Sequence, residues 1–161
     1  MEENAMFLLL SLLGIKSSFA YYQREDFSQK YYWLTRPDIV LCDDAKVSKF
    51  SLYEAIFFWN RVGYGVSTEI IEKECKSDYL HGEIRVTSQR DLDLQKYYGF
   101  TERKISEGIL FAATIKIEDA SANSSKLLIH ELGHALGIEH SHFDRSHIMH
   151  PHVMDEDTRL R

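Results

Sequence analysis

Eleven consecutive residues, His130-Glu131-Leu132-Gly133-His134-Ala135-Leu136-Gly137-Ile138-Glu139-His140, constrain this chain more than any other stretch. A helix advances about 100° and 1.5 Å per residue, so His130 and His134 fall one turn apart on the same face, close enough to ligate one ion. Glu131 stands next to them, where a carboxylate takes a proton from water beside a metal rather than binding the metal itself. His140 follows His134 by six residues and would be carried away from the ion if the helix simply continued. Gly137 supplies the break, because a residue without a Cβ readily adopts the left-handed conformation that ends helices. The chain then turns back and presents His140 from the side. Three neutral imidazoles leave a fourth tetrahedral position open to water, which marks a catalytic rather than a structural zinc site. On the helical wheel Leu128, Ile129, Leu132, Ala135 and Leu136 fall opposite the two ligands, whereas Gly133 and Gly137 share the ligands' face. One face should therefore pack and the other should look into a cleft.

The run resembles the extended zinc signature H-E-x-x-H-x-x-G-x-x-H of the metzincin metalloproteases. Ser146-His147-Ile148-Met149-His150-Pro151 resembles the Met-turn of the same proteins, which implies that Met149 lies under the zinc as a hydrophobic floor. Ser141, directly after the third histidine, and Pro151, two residues after the methionine, are similar to the matrixin branch that includes the matrix metalloproteinases. Astacin-like and serralysin-like enzymes carry a tyrosine where Pro151 stands, so no tyrosine ligand is implied. The resemblance covers Ile109 to Pro151 closely and the segment before it loosely. It implies a zinc endopeptidase holding one catalytic Zn2+ on His130, His134 and His140, with Glu131 as general base and a protein or peptide as substrate. Two alternatives stand beside it: a zinc-binding module that keeps the fold without turnover, and an amidase acting on a non-protein substrate such as peptidoglycan. Retention of Glu131 argues against the first, and the lack of a wall-binding repeat against the second.

His142, His147, His150 and His152 crowd the Met-turn. A second metal site is one reading of them; solvated loop residues are the plainer one. Matrixins commonly hold structural zinc and calcium before the active-site helix, but no matching ligand set stands there. Asp155, Glu156 and Asp157 offer oxygen ligands for calcium, although a charged, solvated tail accounts for them equally well.

The formal charge of −6 gives no basic footprint for nucleic acid, and 161 residues with 44% hydrophobic content suit one folded domain. Ala5 to Ile15 is an apolar run too short to span a bilayer as a helix. Ser18-Phe19-Ala20 then places small residues where a signal peptidase reads, which predicts cleavage before Tyr21, a signal peptide over 1–20 and a single matrixin-like domain over 21–161. Glu2 and Glu3 stand where such a leader normally carries lysine or arginine, so an N-terminal helix packed on the domain is the competing reading. The first reading expects a secreted or extracytoplasmic protein, and the second an intracellular or virion-associated one. Cys42 and Cys75 each follow or end a strand-like run. In a matrixin sheet the first two strands are neighbours, so the resemblance lets these cysteines pair in an oxidising compartment; two buried free thiols are the other reading. Neither precedes the first strand, and latency by a cysteine that blocks zinc is not expected.

The alternation of strand and helix patterns suits an α+β domain, and the resemblance implies a zincin-like twisted mixed β-sheet with an active-site helix, a Met-turn, and a C-terminal helix that is short or missing. Strands are expected over 38–41, 68–74, 83–87 and 108–117. A helix is expected over 48–62 with Phe50, Ala55, Ile56, Phe58 and Trp59 mainly inward, ended by Gly63 and Gly65. Ser124 or Ser125 should cap the zinc helix. An extended substrate should lie along an exposed sheet edge, for which Tyr97 to Arg103 is the candidate.

Overall fold

A computed structural model describes residues 22–76, 81–90 and 98–151. Its elements, in chain order, are β1 (Tyr32–Trp33), β2 (Asp38–Cys42), α1 (Lys49–Val62), β3 (Ile70–Lys73), β4 (Glu83–Gln89), β5 (Gly99–Ser106), β6 (Ile109–Glu118) and α2 (Ser125–Ala135). The expected α+β architecture is present. Strands β3, β2, β4 and β6 lie side by side and parallel, β5 pairs antiparallel with β6, and β1 adds a short parallel pairing at the start of β6. Parallel neighbours need a crossover between them, and α1 supplies the one that joins β2 to β3.

Alternation along the strands decides which face the helices cover. Ile39 and Leu41 of β2, Ile84 and Val86 of β4, and Ala113, Ile115 and Ile117 of β6 project every second residue into one core with both helices. From α1 this core takes Leu52, Ala55, Ile56, Phe58, Trp59 and Val62, and from α2 it takes Leu128, Ile129, Leu132 and Ala135. Phe50 does not join them. It is 70% exposed and forms an outer stripe with Tyr53 and Phe57, so the expected inward position is corrected. Residues three and seven apart share a helix face. An α1 that is apolar on almost every side leaves the wheel unable to select the face that the sheet covers.

Helix ends follow local chemistry. The Ser48 hydroxyl accepts a hydrogen bond from the amide of Ser51 at the start of α1, and Gly63 ends that helix in the left-handed conformation. Of the two serines offered as the cap of α2, Ser124 is the one whose side chain accepts from Leu127. Strand bounds differ from expectation by one to three residues where pairing partners set them. β4 runs on to Gln89 because β6 pairs with it that far, and β3 spans only the four residues that face Ile39–Cys42.

Strand β5 was foreseen only as the candidate edge over 97–103, and two further features escaped the periodicity. One is the pair of residues in β1, too short to show a pattern. The other is the exit of β2, where Cys42 reaches Cys75 and forms a disulfide with the Cα atoms 5.4 Å apart. That selects pairing over free thiols, and register explains it: Cys42 lies opposite Lys73, two residues before Cys75. The N-terminal 1–21 and C-terminal 152–161 segments lie outside the described residues, and with them the predicted leader, the acidic tail and His152.

Candidate metal centre

Helix α2 carries His130 and His134 one turn apart, and the chain reverses at Gly137, whose φ is +88°. The reversal has a second cause besides conformational freedom: a Cβ at this position would lie 2.0 Å from the main-chain oxygen of Tyr31. The segment 28–33 runs across the end of α2 and satisfies carbonyls that the last turn leaves without partners. Gln29 Nε2 donates to Leu136, the Trp33 indole donates to Ala135 at 2.9 Å, and the Lys30 amide donates to Gly137 at 2.8 Å. Glu139 donates in turn to Ser28, so the turn leading to His140 is pinned from both sides.

The three imidazoles converge. Their Nε2 atoms form a triangle with sides of 3.2 Å (His130 to His134), 3.0 Å (His134 to His140) and 3.3 Å (His140 to His130). Nitrogens bound at about 2.0–2.1 Å to a tetrahedral zinc sit roughly 3.3 Å apart, so the triangle fits one such ion. Tautomers agree with this. His130 Nδ1 donates to the carbonyl of Ile148 at 2.7 Å and His134 Nδ1 to that of Ile138 at 2.9 Å, which leaves each Nε2 with a lone pair directed at the common centre. Burial and the neighbouring imidazoles hold His130 at a pKa of about 3 and His134 at about 4. Both therefore stay neutral, the form that binds metal. Among the described residues this is the one cluster of three or more histidine, cysteine or carboxylate groups close enough to share an ion.

Glu131 is 5% exposed, and Thr101 Oγ1 lies 2.6 Å from its Oε2. Burial pushes its carboxyl up to about 7, partly opposed by that hydroxyl. Neither Thr101 nor Gly99, which also abuts Glu131, stood out in the sequence. The only available signal was their period-2 spacing on the segment expected to form an edge.

Met149 is fully buried, with Ile148 beside it providing the acceptor for His130. Gly133 departs from the expected cleft-facing position: a Cβ there would lie 2.6 Å from both the Met149 Sδ and the Trp59 ring. It is a packing contact, and the Trp59 indole reinforces it by donating to Ile129 at 2.8 Å. The solvated reading of the extra histidines holds for His142, which is exposed. It fails for His150, which is 7% exposed, and for His147, half-buried against Tyr22 and Phe27.

A fold with helices packed on a mixed sheet, and a three-histidine centre at the end of one of them, defines a zinc-dependent peptidase class. The Matrixin family matches residues 56–161, and the chain belongs to that family of zinc metalloendopeptidases, whose substrates are peptides. The match begins inside α1, so β1, β2 and the segment that pins the His140 turn lie before it. No curated protein matches the chain. Among the described residues no helix is long and apolar enough to cross a membrane.

Proposed function

We propose that His130, His134 and His140 hold one zinc and that Glu131 is the general base of a secreted endopeptidase. The observation that carries this reading is the convergence of three Nε2 atoms within 3.0–3.3 Å, on the same helix end that buries Glu131. A zinc held by His130, His134 and His140 would supply a Lewis acid there, able to lower the pKa of water to near 7 and to polarise a substrate carbonyl. Glu131 accepts the proton of the attacking water and returns it to the leaving amine. Met149 and Gly133 form the packed floor that keeps α2 against α1.

Strand β5 is the edge along which the substrate lies. It pairs with β6 on one side, and no strand among the described residues covers its other side. Main-chain pairing there orients an extended peptide with little demand on its sequence. The proposed edge runs from Gly99 to Ser106 rather than from Tyr97, which lies outside the described residues. The Cys42–Cys75 disulfide is consistent with an oxidising, extracytoplasmic compartment, and a leader over 1–20 with a mature start at Tyr21 would deliver the 21–161 domain to it. A net charge of −6 gives no basic footprint for nucleic acid.

Glu131→Gln tests the assignment, since it keeps the side chain's size and removes its basicity. Cleavage of a mixed peptide library should fall by about 10²–10⁴-fold with zinc content retained. Full activity in that variant would show that another group is the base, and inactivity of the zinc-loaded native protein would leave a metal-binding module.

A further inference from the structure

Strand β5 does more at this site than offer an edge. We propose that Thr101 and Gly99 are positioning residues for Glu131, one anchoring an oxygen of its carboxylate and the other leaving the space that the rest of the carboxylate fills. The inference rests on the reading of Glu131 as the base.

Alternation puts Gly99, Thr101 and Arg103 on the same side of β5, and each meets the centre. Arg103 pairs with Glu139, next to His140, at 3.0 Å. Thr101 Oγ1 lies 2.6 Å from Glu131 Oε2 and 3.0 Å from the main-chain oxygen of the same residue. A hydroxyl carries one proton, and the shorter contact to the charged acceptor claims it. The main-chain oxygen is fixed by α2, so Thr101 indexes the carboxylate against the helix that also carries His130 and His134. Without such a contact a glutamate side chain turns about three bonds, and burial alone does not choose among its rotamers.

Gly99 acts by volume. A Cβ there would lie 2.9 Å from both Cγ and Oε1 of Glu131 and 3.1 Å from its Cδ. These atoms belong to a movable side chain, so a methyl group would displace the carboxylate and leave the backbone in place. With Oε2 held by Thr101, Oε1 is the oxygen left to receive a proton. The strand proposed to align the peptide main chain thereby also aligns the base, which fixes one against the other without reference to the rest of the fold.

The test uses the zinc-loaded full chain and an internally quenched peptide. Thr101→Val, which keeps the shape and removes the hydroxyl, should lower kcat on the order of 10-fold with KM and zinc per chain unchanged. Thr101→Ser, which restores the hydroxyl, should recover kcat to within about threefold. Gly99→Ala should lower kcat on the order of 10²-fold through displacement of the carboxylate with an unchanged melting temperature. Acetohydroxamate, whose hydroxyl meets the base, should bind more weakly to both Thr101→Val and Gly99→Ala. If Glu131→Gln is inactive while Thr101→Val and Gly99→Ala keep native kcat and inhibitor affinity, the positioning role is wrong and the base stands. If Glu131→Gln is active, the base assignment fails and this inference with it. Should Thr101→Val lose zinc or melt early, Gly99→Ala carries the test, and native kcat in that variant overturns the proposal.

Discussion

Single residues at this centre pull stability in opposite directions with pH. His130 and His134 titrate near 3 and 4 in the fold because burial first, and neighbouring imidazoles second, disfavour their charged forms. An unfolded chain takes up those protons near 6.5. Between about 4 and 6.5 the unfolded state therefore binds more protons at these two sites, and the metal-free protein loses stability as pH falls. Glu131 acts oppositely. Its carboxyl, raised to about 7 by burial, is protonated in the fold where the unfolded chain has already ionised, so it costs stability as pH rises from about 4.5 to 7. Two imidazoles outweigh one carboxyl below 6.5. The melting temperature of chelated protein should thus fall from pH 6.5 to pH 4, and substituting both histidines by alanine should flatten that fall; an equally steep fall in the double variant would reject the assignment. At this scale the sequence disclosed the three histidines and Glu131, because the spacing of His130, Glu131 and His134 along one helix, with the break at Gly137 before His140, is itself the geometry. It did not disclose Thr101 or Gly99, which reach Glu131 only when β5 is laid across α2.

Between elements, the segment 28–33 is what fixes the third imidazole. It gives donors to the orphaned carbonyls of Ala135, Leu136 and Gly137 and places the Tyr31 carbonyl where any Cβ on residue 137 would collide. Gly137→Ala should therefore lower zinc content as well as stability, since the turn cannot close without moving either β1 or His140; a stable variant with one zinc per chain would contradict this. Trp33→Phe is the milder probe. It keeps an aromatic ring and removes the indole donor to Ala135, at a cost of about 1 kcal/mol for the lost hydrogen bond, measurable by denaturant unfolding. The helices and strands β2, β3, β4 and β6 were legible because periods of 3.6 and 2 persist over many residues, whereas β5 was foreseen only as a candidate edge over 97–103. Strand β1 was not, since two residues carry no period, and the placement of Phe50 failed because α1 is apolar around most of its circumference.

Among the described residues one sheet carries two helices on one face, and the Cys42–Cys75 disulfide closes the β2–α1–β3 crossover, a loop with a sequence separation of 33 residues. A crosslink of this kind stabilises by about 2–4 kcal/mol, chiefly by restricting the unfolded chain. Cys42→Ser with Cys75→Ser should lose about that much in urea unfolding while the oxidised native protein shows no reactive thiols; thiol titration that finds two free groups would refute the pairing. The sequence by itself determined the family, the ligand spacing and the position of the reversal at Gly137, because these depend on neighbours within a few residues along a helix. Tertiary structure alone decided which face of α1 is covered, that Gly133 packs on Trp59 and Met149, that His150 is buried, and that β5 supplies the partners of Glu131. Each of these is a contact between segments far apart in the chain, and no local period records which distant surface will arrive.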